Sequence, residues 1–358
     1  MVTLKNIADD LGVSVAAVSY VANNKWREKR IHRRLAEKIS RKLKKEDYQP
    51  SILGRQLKTK RTQTIGVILG DLTRNFNMNI LAGVEKVLAS ADYFALVSSS
   101  DLGRKEITQL KTLLARSVEG IILSPITSGA DASALFSGRI GGKVPVVLVD
   151  NHPPQWETDF VVSDNFAGSR EAVSVLLKKG FRKIAYVGYR KNLSAQEERF
   201  QGYVAALKSY GIKSSDTLVC RYIPSPDLTH KALATMFAKE VPDALFTESL
   251  QYFQEGFRFL FERKLNIPDD IMVTGFDPAD VTLQEMNASF LPFVGTSHIP
   301  FIEQDGIAMG EKSAKILLKK INGEGNGISR IFLKPHLKYF GTEETRESGI
   351  PDGKSRCL

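Results

Sequence analysis

From Thr64 onward, short apolar runs alternate with amphipathic stretches, and this alternation restricts the possible folds more than any other feature. Apolar runs such as Ile65–Leu69 and Gly120–Ser124 each precede a stretch with helical periodicity. Short buried strands separated by helices are typical of parallel sheets. About ten such strands are too many for one ordinary open sheet. We therefore predict an α/β body made of two parallel-sheet halves.

The composition is that of a globular chain with two or three domains. The 358 residues are 42% hydrophobic and 25% charged, and no apolar run reaches the roughly 18 residues of a membrane span. The segment Met1–Lys5 lacks the apolar core of a signal peptide. The two cysteines, Cys220 and Cys357, are too few for a disulfide framework or a zinc cluster. We expect a cytoplasmic protein that spans no membrane and uses no metal or other cofactor.

The positive charge is concentrated at the start of the chain. The formal net charge is +10, and residues 1–62 hold 16 basic and 6 acidic residues, which accounts for all of it. A solvated tail would explain the charge alone, but this segment also has apolar periodicity. A small folded basic domain ahead of a neutral body is typical of nucleic-acid binders, because phosphate neutralisation supplies much of their affinity.

The first 23 residues have the pattern of a helix-turn-helix. Leu4, Ile7, Ala8 and Leu11 share one helix face, Thr3 precedes them as an N-cap, and Gly12 can end the helix. Ser14 can cap a second helix over 15–23. In such a unit the second helix lies in the major groove. A three-helix bundle that does not bind DNA is the alternative reading of the same pattern.

The start of the second helix supplies the predicted base contacts. Val15 and Ala16 can touch only a thymine methyl group, whereas Tyr20 also carries a hydroxyl and is the best single base-reader. Ser14, Ser19 and Asn23 can donate hydrogen bonds to phosphates. A third helix is predicted over 33–46. Its start is weak, because His32 stands at the cap and two arginines follow at the positive end of the helix dipole.

Two segments of the N-terminal region resemble a known family. The stretches VTLKNIADDLGVSVAAVSYVANN and YQPSILGRQLKTKRTQTIGVI are similar to the N-terminus of the lactose-repressor (LacI/GalR-type) transcriptional regulators. The resemblance continues to about residue 342. Through SYVANNK, YQPSI and DALFTES, the chain looks nearest to the sucrose- and fructose-responsive branch of that family.

The resemblance implies a hinge helix over 50–58 that orders when operator DNA binds. Leu57 matches a leucine that the family wedges into the minor groove, and an apolar wedge of this kind kinks a duplex. Gly54 stands where the family usually has alanine, at a cost of about 1 kcal/mol to the helix. A disordered basic linker is the expectation without DNA. The predicted DNA contacts are Thr3, Ser14, Val15, Ala16, Ser19, Tyr20, Asn23, Ser51, Gly54, Arg55 and Leu57.

Polar residues follow several predicted strands of the body, and ligands of open parallel sheets lie beyond the carboxyl ends of the strands. The strand ends carry Asp71, Asp150, Asp164, Thr247 and Asp277, and the loops beyond such ends carry Arg74, Phe76, His152 and Arg199. Carboxylates, an arginine and aromatic rings on facing edges can bind a polyol. Each of these residues taken alone is more often simply a solvated loop residue.

The resemblance sharpens this expectation to an effector cleft between two subdomains of a periplasmic-binding-protein-like fold with Rossmann-like sheets. It matches ERFQGY, VTGFD, VVLVD and GDLTRNFN to effector-binding motifs of the family, and Phe246 to an aromatic that closes over the effector. The predicted effector contacts are Asp71, Phe76, Asn77, Asp150, Arg199, Phe246, Glu248 and Asp277. Thr247-Glu248-Ser249 departs from the usual Asn-Asp pair, so Glu248 or Ser249 is expected to take over hydrogen bonding. Arg74, His152 and Arg199 would also suit a phosphorylated sugar.

The predicted domains are a helix-turn-helix domain (1–48), a hinge helix and linker (49–62), an effector-binding and dimerisation domain (63–342) and a flexible tail (343–358). The N-subdomain would comprise 63–161 and 294–323, and the C-subdomain 162–293 and 324–342. The tail lacks leucine heptads, so a homodimer is expected. Its interface would include the helix near 79–91.

Two parallel-sheet halves also occur in enzymes and in sugar-transport binding proteins. The chain has no G-x-G-x-x-G after its first strand, no P-loop, no G-x-S-x-G elbow and no H-E-x-x-H, so an enzyme is not expected. The basic N-terminal region argues against a sugar-transport binding protein. The sequence therefore predicts a repressor of a carbohydrate-utilisation operon, which binds a pseudo-palindromic operator under the control of a sugar or sugar-phosphate effector.

Overall fold

The computed structural model describes residues 2–48, 61–100, 103–126, 144–189, 193–223, 225, 228–277, 299–325 and 327–340. The chain divides into two compact units, residues 1–62 and 63–358. Within the described ranges, no helix is both long enough and apolar enough to cross a membrane.

The first unit contains three helices with well-formed ends. They are α1 (Leu4–Leu11), α2 (Val15–Ala22) and α3 (Arg33–Lys45). Thr3 and Asn6 form a reciprocal capping box at α1, and Gly12 ends this helix with a φ of 64°, a conformation that glycine adopts without strain. His32 caps α3 by accepting a hydrogen bond from the backbone N–H of Arg34 at 3.3 Å. This cap gives α3 a better start than the sequence predicted.

The helices of the first unit pack around one small core. Ile7, Val18 and Ile39, one from each helix, are fully buried, and Ala8, Val21 and Ala36 surround them. This arrangement confirms the predicted apolar face of α1. It also fixes which residues of α2 point away from the core.

The second unit begins with a six-stranded parallel sheet. Its spatial order is β11-β5-β4-β3-β1-β2, and every pairing is parallel. The strands are β1 (Thr64–Leu69), β2 (Phe94–Ser99), β3 (Gly120–Leu123), β4 (Val146–Val149), β5 (Asp159–Ser163) and β11 (Arg330–Leu333). Strands β3 and β4, and β1 after Thr64, are buried on both faces and contain no polar side chain.

The second half contains a four-stranded parallel sheet of order β7-β6-β8-β9. Its strands are β6 (Ile184–Tyr189), β7 (Val219–Ile223), β8 (Ala244–Thr247) and β9 (Met272–Gly275). An antiparallel pair, β10 (Ile299–Glu303) with β12 (His336–Phe340), lies beside β9, and a bridge joins Phe276 to Ile302.

Seven helices of the second unit are described. They are α4 (Asn75–Ser90), α5 (Gly103–Ala115), α6 (Asn165–Lys178), α7 (Ser194–Ser209), α8 (Thr229–Lys239), α9 (Leu250–Glu262) and α10 (Gly306–Ile321). Helices α4 and α10 approach each other closely at Gly83 and Gly310, which have no side chain. A Cβ atom on either glycine would overlap the backbone of the facing helix. Residues 131–139, for which the periodicity of the sequence predicts a further helix, lie outside the described residues.

The strand pairing corrects the predicted subdomain boundaries. Strand β10 lies in the second half although 294–323 was assigned to the first, and β11 lies in the first sheet although 324–342 was assigned to the second. Strand β5 likewise continues to Ser163 in the first sheet. The chain therefore crosses between the halves after Ser163, after Glu303 and after Leu333. Strand partners decide these crossings, whereas the predicted boundaries were those that the resemblance implies.

Candidate functional site

Acidic residues at the ends of strands from both sheets meet in one place. Asp150 directly follows β4 of the first sheet, and Asp277 lies two residues after β9 of the second. Both have positive φ values, 66° and 50°, which non-glycine residues adopt rarely and often at functional sites. Each carboxylate interacts electrostatically with the other and with Arg199. The structure therefore brings together three of the predicted effector contacts.

Arg199 is buried and is held by contacts with Asn165, Glu248 and Phe276. Its side chain belongs to α7, is only 6% exposed, and lies with the guanidinium carbon 3.7 Å from the centre of the Phe276 ring. Its Nε donates to Asn165 Oδ1 at 2.8 Å, and its Nη1 donates to the carbonyl oxygen of Glu248. Planar guanidinium groups suit stacking and forked hydrogen bonding of this kind.

Loss of hydration governs the ionisation of both carboxylates. It raises the pKa of Asp277 to about 6, although hydrogen bonds from Gln304 and the charge of Arg199 oppose the shift. It also raises the pKa of Asp150, against the charge of Arg199 and a hydrogen bond from Ser124. Desolvated carboxylates gain from new hydrogen-bond donors. A ligand rich in hydroxyl groups would supply such donors.

Glu248 follows β8 and is almost fully buried, at 2% exposure. The hydroxyl of Tyr186 donates to its Oε2 at 2.9 Å, and a Cβ atom on Gly188 would overlap its carboxylate. Burial and the neighbouring Glu248 charge raise the pKa of Tyr186 well above its ordinary value. Glu248 thus lies beside Arg199, and hydrogen bonding from Glu248 to an effector stays a prediction.

The loop after β1 is ordered by its own hydrogen bonds. Asn77 donates from Nδ2 to the carbonyl of Asp71 at 2.7 Å, and Thr73 donates to the Asp71 carboxylate from both N and Oγ1. Partial burial raises the pKa of Asp71, but these bonds and the charge of Arg74 outweigh it and hold the pKa below its ordinary value. Phe76 is half-buried against the apolar core beside the six-stranded sheet. The Asn77 amide nitrogen therefore has a structural role in this loop.

The prediction for Phe246 is wrong. Its side chain is fully buried on β8, where it lies among the rings of Tyr186, Tyr203 and Phe276. Phe246 therefore packs in the core next to the site and does not line the cleft. Thr247 and Asp164 are also engaged: Thr247 is buried and donates to the Thr274 carbonyl, and Asp164 caps α6.

Four residues of the site were missed from sequence. Asn165 holds Arg199, Gln304 donates to both carboxylate oxygens of Asp277, Glu198 contacts His152 at 2.8 Å, and Ser194 accepts from the backbone N–H of His152 at 2.8 Å. Asn165 directly follows Asp164 at a predicted strand end, and Glu198 precedes Arg199. Their positions were visible, but nothing local indicated their partners.

The first unit presents a second candidate site on α2. Val15 and Ala16 are exposed, whereas Ser19 and Tyr20 are half-buried and Asn23 is exposed at the helix end. Ser14 caps α2 by accepting from the Ala17 N–H at 3.2 Å. The hydroxyl of Thr3 takes part in the capping box of α1. Ser51, Gly54, Arg55 and Leu57 lie outside the described residues.

A metal site would need several acidic, histidine or cysteine side chains close together in the part of the chain that the structure describes. There, no group of three or more histidine, cysteine, aspartate or glutamate side chains is arranged to hold a metal ion. The carboxylates of the cleft face arginine, tyrosine and amide groups instead.

Comparison with known proteins gives a consistent family. Residues 62–343 match the family model described as "Periplasmic binding proteins and sugar binding domain of LacI family". The ribose operon repressor of Escherichia coli is 27% identical over 349 residues, which cover 96% of this chain and 100% of the relative. The HTH-type transcriptional regulator RegA of Clostridium saccharobutylicum is 27% identical over 331 residues, covering 89% and 92%. These curated relatives are transcriptional regulators, which supports the expectation that the chain is not an enzyme.

Solved structures confirm the predicted fold class. The lac repressor dimer bound to operator and an anti-inducer is 22% identical, with a TM-score of 0.78, covering 94% of this chain and 97% of that one. The regulator CelR in complex with cellobiose is 25% identical, with a TM-score of 0.66, covering 94% and 98%. The matched family model spans both sheets and all the cleft residues described above. The chain therefore belongs to the family of periplasmic binding proteins and sugar-binding domains of the LacI family.

Proposed function

We propose that this protein is a DNA-binding transcriptional repressor of a carbohydrate-utilisation operon, controlled by a small sugar or sugar-phosphate effector. The observation that carries the proposal is the pairing of a basic three-helix unit with a sugar-binding domain in one chain, over almost the same length as relatives that are operon repressors. A cytoplasmic location is part of the proposal, because the operator would be there.

The effector is proposed to bind at Arg199, Asp150 and Asp277, with Glu248 and Asp71 as further contacts. The cations described near this site already have acidic partners: Arg74 pairs with Asp71 at 3.4 Å, His152 with Glu198, and Arg199 faces two aspartates. This pairing supports an uncharged sugar over its phosphate ester. Arg190 and Lys191 lie outside the described residues, so phosphate esters belong in the test.

The sugars to be tested as effectors are chosen from the family branch that the sequence motifs predict and from the relatives that the chain matches. The sequence motifs predict the sucrose- and fructose-responsive branch, whereas the relatives are named for ribose and cellobiose. The panel is therefore sucrose, fructose, ribose and cellobiose, with fructose 1-phosphate and ribose 5-phosphate as charged counterparts.

The proposed assembly is a homodimer whose interface is formed by the half of the second unit that contains the six-stranded sheet. Strand β2 is an edge strand on which Phe94 is 74% and Val97 is 37% exposed. Met78 on α4 and Ile307 on α10 are 45% and 46% exposed. Large apolar side chains at an unpaired sheet edge and on neighbouring helices support a partner surface. Two-fold symmetry would then match a pseudo-palindromic operator.

The proposed mechanism is a shift between two arrangements of the subdomains. An effector that binds one arrangement better changes the pairing of the two hinge segments and hence the affinity for DNA, with a coupling of about 1–3 kcal/mol. The predicted wedge, Leu57, is testable by itself: Leu57→Ala should weaken specific binding and leave non-specific binding largely intact. Equal loss of both would show that Leu57 is not a wedge.

The deciding experiment is a gel-shift titration of the full-length protein. Operators are first selected from a random duplex pool, and binding is then measured with each sugar of the panel. We expect salt-sensitive binding to selected sequences and a change of at least fivefold with one sugar. If no duplex is enriched over the pool, the protein is not a sequence-specific regulator.

A further inference from the structure

Strand β11 forms one end of the six-stranded sheet. Its inner neighbour is β5, and among the described residues no strand lies on its outer side. The proposed homodimer uses β2, which forms the opposite end of the same sheet. A dimer of that kind therefore leaves β11 uncovered.

The backbone groups of β11 alternate between the sheet and its outer edge. The carbonyl groups of Ser329 and Leu333 accept hydrogen bonds from the backbone N–H groups of Phe160 and Asp164, at 2.9 and 2.8 Å. Because successive residues of a strand direct their backbone groups to opposite sides, the residues between Ser329 and Leu333 include some whose groups point away from β5. A row of outward donors and acceptors is a template for a further strand.

The side chains along this edge alternate as well. Ile328 and Phe332 are 48% and 53% exposed, and Arg330 and Lys334 are exposed, whereas the residues between these four are half-buried. Residues two apart on a strand share one face. The edge therefore presents a strip of alternating apolar and basic side chains, Ile328, Arg330, Phe332 and Lys334, which we call the edge strip.

The Phe332 ring is held in place although more than half of it is exposed. It meets the Phe160 ring edge-on at 5.3 Å and the His152 ring edge-on at 5.7 Å between centres. An apolar side chain that is already ordered loses little freedom when a partner covers it. Phe332 is therefore suited to anchor a partner.

The charge of the edge strip indicates what kind of partner fits. Among the described residues, neither Arg330 nor Lys334 has an acidic partner. Asp159, the acid that accepts from the Ser329 N–H at 2.7 Å, pairs with Lys320 at 3.2 Å instead. Unpaired cations on both sides of an exposed ring complement a segment with an apolar residue between two acids.

We propose that β11 docks an extended acidic segment of a partner protein, which joins the six-stranded sheet as a further strand. The docked segment has the pattern acid-x-apolar-x-acid, with its acids opposite Arg330 and Lys334 and its apolar residue opposite Phe332. In strand addition of this kind, backbone hydrogen bonds supply affinity and alternate side chains supply specificity. The docking surface is separate from the candidate effector site and from the first unit.

The probe is the fluorescein-labelled peptide TETLTET, which reads the same in both directions and so fits a parallel or an antiparallel strand. Fluorescence anisotropy with the full-length protein compares it with TKTLTKT. We expect the acidic peptide to bind about tenfold more tightly, because two ion pairs replace two repulsions. N-methylation of every second backbone nitrogen should abolish binding in one of its two phases, since only alternate N–H groups face β11.

A charge-reversed variant separates β11 from the basic first unit, which attracts acidic peptides by its net charge alone. Arg330→Glu/Lys334→Glu should reverse the preference, so that TKTLTKT binds more tightly than TETLTET. The matched control is Lys213→Glu/Lys231→Glu, which makes the same change of charge at two other exposed cations of the second unit. This control should keep the wild-type preference.

Three results would each overturn the docking site: equal binding of the two peptides, binding that survives both phases of N-methylation, or an unchanged preference in Arg330→Glu/Lys334→Glu. Arg330 and Lys334 would then only keep the edge from pairing. A changed molar mass of this variant in light scattering would assign the edge to a second copy of the chain, which also contradicts the proposal. The gel-shift titration decides the proposed function independently.

Discussion

The imidazole of His152 and the carboxylate of Glu198 form a contact between the two halves of the second unit. His152 follows β4 of the first sheet, and its Nε2 lies 2.8 Å from Oε1 of Glu198 on α7 of the second half. The His152 ring also stacks on Phe160 of β5 at 4.5 Å. Because Arg199 is the next residue of α7, the contact and the candidate effector site share one helix turn.

The His152–Glu198 contact should contribute to effector binding as well as to stability. In a double-mutant cycle with His152→Ala and Glu198→Ala, we expect a coupling of about 1 kcal/mol in urea unfolding and an effector affinity reduced severalfold, since residues in direct contact couple by about 0.5–3 kcal/mol. The control is His230–Glu262, a similar pair at 2.7 Å whose side chains are 45% and 52% exposed. It should give close to zero coupling, and equal couplings for both pairs would contradict the assigned role.

Arg199→Ala should abolish the effector response while operator binding persists. Removing one partner of a buried, hydrogen-bonded charge pair costs about 2–5 kcal/mol, so effector affinity should fall about 30-fold or more. Arg199→Lys should recover little, because lysine keeps the charge but cannot reproduce the planar stacking on Phe276. Gel shifts with the active sugar measure both effects.

The control for Arg199 is Arg221→Ala. Arg221 also stacks on a ring, that of Phe200 at 4.1 Å, and pairs with Glu197, all within the second half. Its removal should leave the effector response within twofold. A normal response in Arg199→Ala would remove this arginine from the site.

Asp277 should make stability depend on pH. Its pKa is about 6 in the folded state and about 3.9 in the unfolded chain, so the folded state binds the proton more tightly. The stability that this group contributes is present at pH values below the unfolded pKa and is lost as pH rises through the folded pKa. Asp277→Asn should therefore gain stability relative to wild type, by about 1 to 1.5 kcal/mol, between about pH 5 and about pH 7.5.

Urea unfolding of both proteins at the two pH values measures the difference. Asp269→Asn is the matched control, because Asp269 is an exposed acid of the same unit and should show no such pH-dependent gain. A gain for Asp277→Asn that is equal at both pH values would contradict the raised pKa. Uncharged asparagine should also bind a hydroxylated effector less tightly than the carboxylate.

Gly310→Ala should destabilise the second unit by forcing α4 and α10 apart. An added Cβ would overlap the backbone of Ile80 and Val84, and overpacking of this kind costs about 1–3 kcal/mol or more. Gly256→Ala on α9 is the control, because its Cβ would meet Leu245 at an ordinary 3.6 Å. Since alanine favours a helix over glycine by about 1 kcal/mol, that variant should be neutral or stabilised. Thermal and urea unfolding compare the two variants.

Local features of the sequence determined much of the secondary structure. The capping residue Thr3, the stop at Gly12 and the apolar spacing of Ile7 and Ala8 predicted α1 as it is observed. Caps and periodicity act over a few residues, so they can be read without the fold. The strand-end positions of Asp150 and Asp277 were visible for the same reason.

The tertiary structure alone decided which of these residues meet. The exclusion of Phe246 from the cleft depends on three rings from other elements. The position of β11 beside β5 depends on pairing between segments 170 residues apart, as in the hydrogen bond from the Ser329 backbone N–H to the Asp159 carboxylate. The partner of Arg199, Asn165, is 34 positions away. Such contacts arise from packing and strand order between distant segments, and no local pattern in a single sequence carries that information.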